Sequence, residues 1–266
     1  MGRLTHASQW DTIKYMNSQF PRWRQKSLDK LAAQTDPLHS SFSKNIPFPH
    51  VIIDDLFPSQ LISELVSEFP SPIDPSWDRS VVEGIQVKLR SNWQSEDDIS
   101  PVTAEVVHFF NSGSFMKCLS AITGVQKLIS DPYFTGGGRN CILPGGILDV
   151  HADGNWHDAM GVHRRLNAIL YLNENWDEQW GGHFELWDKD LTGCVKAVAP
   201  LANRLLIFET HDFTYHGHPN PLECPEDKSR KSLIFYYYTA EPRPAQQILN
   251  AEPHRALWRK KSLNSL

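Results

Sequence analysis

The sequence predicts a mainly β protein, a sandwich or barrel, that carries a layer of helices on its outside. From about residue 139 onward, short runs rich in β-branched and aromatic residues are separated by Gly, Pro, Asn and Asp. Such runs at close intervals indicate antiparallel strands joined by turns. The helical patterns are gathered before these runs instead of alternating with them, which favours helices packed against one side of a sheet.

The first part of the chain is predicted to be largely helical. The opening forty residues are amphipathic at helical spacing and are interrupted at Pro21, whereas residues 49–55 have the composition of a strand. Residues 59–69 again place apolar side chains at helical spacing. We expect a helix of about three turns there, with Ser59 as its N-cap and Pro70 as its end.

Two more helices and a short strand come before the β-rich region. Residues 83–90 alternate as a strand does, residues 100–111 and 114–124 have helical patterns, and Gly124 is expected to end the second helix. The later strands are expected in the segments NCIL, GILDVHAD, RRLNAILYLN, GGHFELWD, NRLLIFET and RKSLIFYYYT. The tail after Pro244, ending in RALWRKKSLNSL, has the pattern of a basic helix.

Composition limits the class of protein and of partner. With 266 residues, 40% hydrophobic and 21% charged, the chain can bury a full core as one large domain or two small ones. A net charge of -5 gives no general attraction to nucleic acid or anionic membranes, so the expected partner is a small molecule or another protein. Without a leader-like or membrane-spanning apolar run, a cytoplasmic location is expected. Four widely spaced cysteines indicate reduced, buried thiols.

The segment GILDVHAD contains a possible pair of metal ligands. On a strand, residues two apart share a face, so His151 and Asp153 can converge on one ion. Two histidines and one carboxylate on one side of an octahedral ion form the facial triad of non-haem Fe(II) oxygenases. The HxD spacing alone is a weak signal, because His183 and Glu185 have a similar arrangement. His157 and His163 are further candidates that the pattern leaves open.

Four blocks of the chain resemble the prolyl 4-hydroxylase-type 2-oxoglutarate and Fe(II)-dependent dioxygenases, in particular their bacterial branch. In chain order the blocks are HADGNWH, RRLNAILYLNENWDEQWGGHFELWD, NRLLIFETHDFTYHGHPNPL and SRKSLIFYYYT. The resemblance covers about residues 129–240 and extends more loosely to PFPHVIIDDLFP and SFMKCLSAITGV upstream. It implies a double-stranded β-helix, a squashed barrel of two antiparallel sheets with the metal near its open end.

The resemblance also implies one catalytic domain that spans residues 1–266. Residues 1–45 would be an N-terminal helical extension and residues 46–128 a supporting region of helices and strand. Residues 129–240 would form the double-stranded β-helix core, and residues 241–266 a C-terminal tail. The sequence leaves the oligomeric state open.

Carried over by position, the family's metal ligands fall on His151, Asp153 and, in the HGHP segment, His216. His218 lies two residues after His216, so on a strand both would point to the same face. His218 is therefore expected near the site without being a ligand. His183 falls on a strand that resembles a structural one, with a role in packing or at the surface. His157 and His163 are not expected to bind the metal.

The family binds the distal carboxylate of 2-oxoglutarate through a basic residue two positions before a small hydroxyl residue. Arg230 and Ser232 have this relation, and on a strand they share a face from which Lys231 points away. A guanidinium also grips a carboxylate with two parallel hydrogen bonds, which an ammonium cannot do. The tyrosine of the family's YLN block matches Tyr171.

The segment RRLNAILYL gives a separate indication from its pattern. One face of this strand is entirely apolar, whereas the other is mixed, which suits a barrel that holds a charged ligand. The apolar face consists of Leu166, Ala168, Leu170 and Leu172, and the mixed face of Arg165, Asn167, Ile169 and Tyr171.

The implied activity is an Fe(II)-, 2-oxoglutarate- and O₂-dependent hydroxylation of an unactivated C–H bond, with release of succinate and CO₂. The substrate is a small molecule or a peptidyl group, with proline among the candidates, and desaturation stays open as an outcome. Halogenation is not expected, because halogenating relatives have Gly or Ala where Asp153 stands. The alternative is a cupin-like metal-binding module or isomerase without 2-oxoglutarate, which would not need Arg230. A metal-free interaction domain would not need the three predicted ligands.

Overall fold

Fourteen strands of the described residues belong to one continuous sheet in which every pairing is antiparallel. The structure is a computed structural model, and it describes residues 21–249 and 251–259. The strands are β1 His50–Asp54, β2 Trp77–Val82, β3 Gln86–Ser91, β4 Ile129–Ser130, β5 Gly138–Ile142, β6 Leu148–Ala152, β7 Trp156–His157, β8 Val162–Tyr171, β9 Phe184–Trp187, β10 Cys194–Val198, β11 Arg204–Glu209, β12 His216–His218, β13 Arg230–Thr239 and β14 Leu257–Trp258.

Five α-helices precede the β-rich region in the described part of the chain. They are α1 Arg22–Ala33, α2 Thr35–Phe42, α3 Ser59–Ser67, α4 Pro101–Phe110 and α5 Gly113–Thr123. Short 3₁₀ turns occur at Glu96–Asp98, Glu178–Trp180 and Ala245–Gln247. None of the helices in residues 21–249 and 251–259 combines the length and the apolar composition that a membrane span requires.

Strand order shows how the sheet surrounds an interior. The path runs β1-β11-β8-β13-β5-β3-β6-β12-β9-β10, with β2, β4, β7 and β14 attached beside it. β3 joins the two halves, because it pairs with β5 through Leu89 and Arg90 and with β6 through Gln86. Side chains from both halves line the same small cavity, so the sheet folds back over itself. The prediction of a mainly β barrel with helices outside it is confirmed.

The two faces of β8 are divided as the pattern predicts. Its apolar face packs in the large core that also contains side chains of all five helices, including Leu31, Val106 and Leu119. Ile169 and Tyr171, on the other face, lie in a second cluster inside the barrel. The helical layer therefore covers the outer face of the sheet.

Local sequence signals set the end of α5, whereas both predicted ends of α3 need correction. Gly124 ends α5 at φ 78°, a left-handed conformation that glycine adopts without steric cost. Ser59 is wrong as an N-cap: it is the first helical residue of α3, and Pro58 occupies the cap position without a side-chain hydrogen bond. α3 also ends earlier than predicted, at Ser67, and Glu68 follows it as the C-cap.

Several short elements were not predicted, or were predicted differently. Residues 83–85 form the turn of a hairpin between β2 and β3, so the predicted strand 83–90 begins only at Gln86. In the tail, Leu257–Trp258 is a strand and not part of a helix, because it pairs with β6. The rest of that predicted helix, residues 260–266, and the predicted N-terminal helix over residues 1–20 lie outside the described residues.

The cysteines are free, as predicted, but they are not all buried. Cys141 and Cys224 are buried, Cys118 is intermediate and Cys194 is exposed on β10. The division of the chain into one domain with four regions stays a prediction.

Candidate functional site

Two strands bring a pair of histidines face to face at one end of the barrel. His151 on β6 is the direct cross-strand partner of His216 on β12. Asp153 lies just after the end of β6, and its two carboxylate oxygens are each 3.6 Å from an Nε2 atom, one of His151 and one of His216. Candidate ligand atoms of the three residues all lie within 4.8 Å of one another.

Backbone carbonyls fix the tautomer of both imidazoles. Nδ1 of His151 is 2.8 Å from the carbonyl oxygen of Asp149, and Nδ1 of His216 is 2.8 Å from that of Thr214. Because a carbonyl oxygen can only accept, each Nδ1 carries the proton and donates. Each Nε2 is then left with its lone pair directed toward Asp153, the arrangement by which histidine ligands are oriented in metal sites.

Electrostatics favour the charge states that a metal requires. Burial lowers the pKa of His216 to about 4, so its imidazole is neutral near pH 7. Burial alone would raise the pKa of Asp153, but the imidazoles of His216 and His151 and the guanidinium of Arg164 outweigh it and hold that pKa well below its usual value. Two imidazole nitrogens and one carboxylate are a donor set that fits Fe(II).

Two residues of β8 support the carboxylate of Asp153. Asn167 donates a hydrogen bond from Nδ2 to Oδ2 at 2.5 Å, and Arg164 places Nη1 3.5 Å from Oδ1. Alternation along β8 predicts Arg165, not Arg164, on this face. The pairing register between β8 and β13 shifts opposite Tyr237 and Tyr238, and this shift interrupts the alternation of side chains along β8. Arg164 therefore points toward the site in place of Arg165.

Arg230 lies deep in the barrel beside Tyr171. Its Nε donates to the carbonyl oxygen of Gly182 at 2.7 Å, and its Nη2 donates to the hydroxyl oxygen of Tyr171 at 3.2 Å. Gly182 has φ 69°, and a Cβ there would lie 3.0 Å from Cδ of Arg230, so glycine allows this close approach. Ser232 is the cross-strand partner of Tyr171. Lys231, on the opposite face, has its ammonium 5.9 Å from the ring centre of Phe69.

A cavity of about 70 Å³ joins the two groups of residues. It is lined by Lys88, Asn140, Ile142, Leu148, His151, Asp153, Asn167, Ile169, Phe184, His216, His218, Arg230, Ser232, Ile234 and Tyr236. All the predicted site residues except Tyr171 line it, and Tyr171 contacts it through Arg230. Lys88 and Asn140 also line the cavity but were not predicted, because they lie on strands that no motif marks.

A larger cleft of about 520 Å³ opens on the outer side of Asp153. Asp153 lines both the cavity and the cleft, so the two spaces meet at the candidate metal ligands. Aromatic side chains of the cleft include Trp156, Tyr238 and Trp258, and residues 253–256 complete one wall.

The C-terminal segment closes over the edge of β6. Trp258 of β14 pairs with His151 and stacks on its imidazole, with 4.5 Å between ring centroids and 28° between planes. Arg259 anchors the segment through a 2.7 Å ion pair with the fully buried Asp149. No pattern in the basic tail predicted this contact.

The four other histidines that the sequence analysis weighed are not part of the cluster. His157 is buried, with Nε2 3.2 Å from Oδ1 of Asp131, and His163 lies edge-on to the ring of Trp156. His183 is partly exposed, with Nε2 3.5 Å from a carboxylate oxygen of Glu178. His218 lines the cavity, where burial holds the pKa of its imidazole well below the usual value.

Comparison with known proteins identifies the family model that this region matches. Residues 138–238 match the model described as the 2OG-Fe(II) oxygenase superfamily. Among curated proteins, the chain is similar to Prolyl 3-hydroxylase OGFOD1 of Mus musculus, with 31% identity over 106 residues. That alignment covers 37% of this chain and 19% of the mouse protein, so it spans about a fifth of that relative's length.

Solved structures show the same fold at low identity. A prolyl hydroxylase from Trichoplax adhaerens, in complex with a peptide fragment of the hypoxia inducible factor oxygen degradation domain, has a TM-score of 0.52 at 17% identity, over 88% of this chain and 94% of that one. A prolyl-4-hydroxylase from Pseudomonas putida has a TM-score of 0.51 at 21% identity, over 76% and 98%. HygX from Streptomyces hygroscopicus, with nickel, 2-oxoglutarate and hygromycin B bound, has a TM-score of 0.51 at 12% identity, over 86% and 98%. The expected double-stranded β-helix is confirmed.

Proposed function

We propose that this chain, whose residues 138–238 match the model of the 2OG-Fe(II) oxygenase superfamily, hydroxylates an unactivated C–H bond and converts 2-oxoglutarate and O₂ to succinate and CO₂. The observation that carries the proposal is the cluster of His151, Asp153 and His216, whose free lone pairs converge from two strands. These three residues would hold Fe(II) on one side and leave three positions open for co-substrate and oxygen. When bound, the iron supplies the oxygen activation that couples decarboxylation of 2-oxoglutarate to attack on the substrate C–H bond.

Arg230, Ser232 and Tyr171 would hold the distal carboxylate of 2-oxoglutarate. Arg230 is buried, and its two hydrogen-bond partners described above, a carbonyl and a hydroxyl oxygen, are both uncharged. A buried guanidinium without a counter-charge is costly, so an incoming carboxylate at this position is strongly favoured. The Tyr171 hydroxyl accepts from Arg230 and keeps its own proton to donate to that carboxylate.

The outer cleft would bind the substrate. It meets the candidate metal ligands at Asp153, and its aromatic walls can pack against a ring or an aliphatic group. The similar solved structures include a prolyl hydroxylase in complex with a peptide fragment and HygX with hygromycin B bound. The proposal therefore includes two classes of substrate. One is a peptidyl group, with proline among the candidates, and the other is a small molecule.

The carboxylate of Asp153 favours hydroxylation, with desaturation as the other possible outcome. A halide would need the coordination position that this carboxylate occupies, so we do not propose halogenation. A chlorinated product formed by the unmodified enzyme would contradict this part of the proposal.

Anaerobic titration of the Fe(II)-loaded protein with 2-oxoglutarate tests the proposal. A weak visible charge-transfer band is expected for the wild type, and Arg230→Ala should need at least about ten-fold more 2-oxoglutarate to form it. Lys231→Ala removes a neighbouring cation on the outer face and serves as the matched control, with an unchanged titration. If iron binds and no band forms in the wild type, the chain does not use 2-oxoglutarate and the cupin-like alternative replaces the proposal.

A further inference from the structure

The C-terminal segment, residues 251–259, lies along the stretch of chain that carries two of the three candidate metal ligands. Trp258 pairs with His151 through the backbone and stacks on its imidazole. Arg259, the next residue, forms the ion pair with the fully buried carboxylate of Asp149. The strand that positions His151 is therefore held by the segment through backbone pairing, a ring contact and a buried charge.

Asn155 holds the same segment just beyond Asp153. Its Nδ2 donates to the carbonyl oxygen of Glu252 at 3.0 Å, and its Oδ1 accepts from the backbone N–H of His254 at 2.8 Å. The backbone N–H of Asn155 also donates to the carbonyl oxygen of His254 at 3.2 Å. Gly154 permits this contact, because a Cβ there would lie 2.8 Å from the same carbonyl oxygen. Contacts with the segment therefore lie on both sides of Asp153 in the chain.

A further attachment joins the segment to a different part of the chain. Nε2 of His254 is 2.9 Å from Oδ1 of Asp212, a fully buried carboxylate that also accepts from Nη1 of Arg243 at 2.8 Å. Asp212 follows β11 and lies outside the stretch 149–155. A change of the His254 side chain therefore removes an attachment that is separate from the metal ligands.

Polar contacts provide most of these attachments. None of residues 251–259 is buried, and the side chain of Arg255 is 95% exposed. Segments with few buried apolar contacts open at a lower free energy than the core of a protein does. Docking of the C-terminal segment is therefore an equilibrium that small changes in its contacts can shift.

The same segment forms one wall of the outer cleft that is proposed to bind the substrate. Its residues in the cleft lining are Pro253, His254, Arg255, Ala256 and Trp258. When the segment is undocked, the cleft lacks this wall and His151 lacks the indole that stacks on it. Docking therefore completes the proposed substrate site.

We propose that docking of the C-terminal segment is coupled to metal binding, so that an occupied metal site completes the substrate cleft. Two physical effects act in the same direction. A docked segment limits the motion of the stretch that carries His151 and Asp153, so less conformational entropy is lost on metal binding. The imidazole of His151 also becomes electron-poor when it coordinates a dication, which strengthens its contact with the electron-rich face of Trp258. The inference rests on the metal-binding part of the proposed function.

Hydrogen exchange followed by mass spectrometry tests the coupling in the intact chain, with Zn(II) as the probe. Zn(II) should slow exchange of the backbone amides of residues 251–259 by about five-fold or more, because couplings between two sites typically amount to about 5–150-fold. The coupling is reciprocal, so a variant with a weakened segment should bind Zn(II) less tightly. Isothermal titration calorimetry measures that affinity, and neither measurement needs turnover.

Three variants separate the segment from its surroundings. His254→Ala removes the contact with Asp212, and it should speed exchange of the segment and lower Zn(II) affinity by about five-fold or more. Arg259→Met removes the ion pair with Asp149, should have the same two effects, and serves as the second variant if His254→Ala does not fold. Arg255→Met makes the same chemical change at an exposed position of the segment and should leave both quantities within about two-fold of the wild type. Circular dichroism verifies that each variant is folded.

Two results would overturn the inference. The first is Zn(II) binding by the wild type that leaves exchange of residues 251–259 within two-fold of the metal-free protein. The second is faster exchange of the segment in His254→Ala and Arg259→Met with unchanged Zn(II) affinity, because docking and metal binding would then be independent. Failure of the wild type to bind Zn(II) at all would refute the metal site, and with it both the proposed function and this inference.

Discussion

The imidazoles of His151 and His216 face each other across two antiparallel strands, with 4.5 Å between their ring centroids. The register shifts immediately afterwards, so His218 pairs with Leu148. Gly217 lies at this irregularity, and a Cβ there would come within 2.7 Å of the Leu148 carbonyl oxygen. The close approach of β12 to β6 at the candidate metal site therefore depends on glycine.

Alanine at His151, Asp153 or His216 should abolish turnover and metal binding. Each change removes one of three converging donor groups, so the loss should exceed the roughly 10–100-fold that removal of a supporting partner causes. Metal affinity can be followed by titration with Co(II) and its visible spectrum. His157→Gln is the control and should keep its metal, because His157 contacts Asp131 instead of the cluster. Loss of metal in this control would contradict the assignment.

Asn167→Leu should weaken metal binding by roughly 10–100-fold without unfolding the protein. The amide of Asn167 donates to Asp153 at 2.5 Å and holds the carboxylate in one orientation. Leucine has a similar size and cannot donate. An unchanged Co(II) titration in Asn167→Leu would show that the carboxylate is oriented by other contacts, Arg164 among them.

Trp258→Ala should lower metal affinity by a smaller factor, roughly 2–12-fold. The indole stacks on His151, and contacts between aromatic rings contribute about 0.5–1.5 kcal/mol beyond area burial. Trp258→Phe preserves a ring and should recover most of the affinity and the Co(II) spectrum of the wild type. Equal behaviour of the Ala and Phe variants would show that the ring contact does not position His151.

Glu68→Gln should destabilise the fold in a pH-dependent way. The Glu68 carboxylate accepts hydrogen bonds from the backbone amides of Val102 and Thr103 at the start of α4 and from the hydroxyl of Ser100. Burial opposes ionisation, but these hydrogen bonds outweigh it and lower the pKa of Glu68. The cost at pH 7 should be about 1–3 kcal/mol in the free energy of unfolding.

The lowered pKa sets the direction of the pH effect. The contribution of Glu68 is fully present above the unfolded-state pKa of about 4.3 and is lost as the pH falls through the lower, folded-state value. Urea unfolding at pH 7 and at pH 3 measures the difference between wild type and Glu68→Gln at both ends. The difference should shrink at pH 3, and a constant difference would mean that the carboxylate charge is not what stabilises α4.

The sequence by itself determined six of the strands after residue 137, namely β5, β6, β8, β9, β11 and β13, and the faces of β8, whereas β7, β10 and β12 were not predicted. Alternation with a period of two is local, so it assigned the apolar face of β8 to the helical layer and Ile169 to the interior. The HxD spacing and the Arg230–Ser232 spacing are equally local, because both pairs lie within a single stretch of extended chain. Of the residues that the resemblance selected, all except Tyr171 line one cavity, and Tyr171 contacts Arg230 beside it.

Tertiary structure alone decided the contacts between distant segments. Lys88 reaches the cavity because β3 bridges β5 and β6, and Trp258 reaches His151 because β14 pairs with β6. A register shift between β8 and β13 turns Arg164, instead of Arg165, toward the site. β12 and β14 span three and two residues, too few to show any alternation. Sequence periodicity indicates to which face of its own strand a side chain points. Pairing register, which the packing of the whole sheet sets, determines which residues of neighbouring strands lie opposite each other.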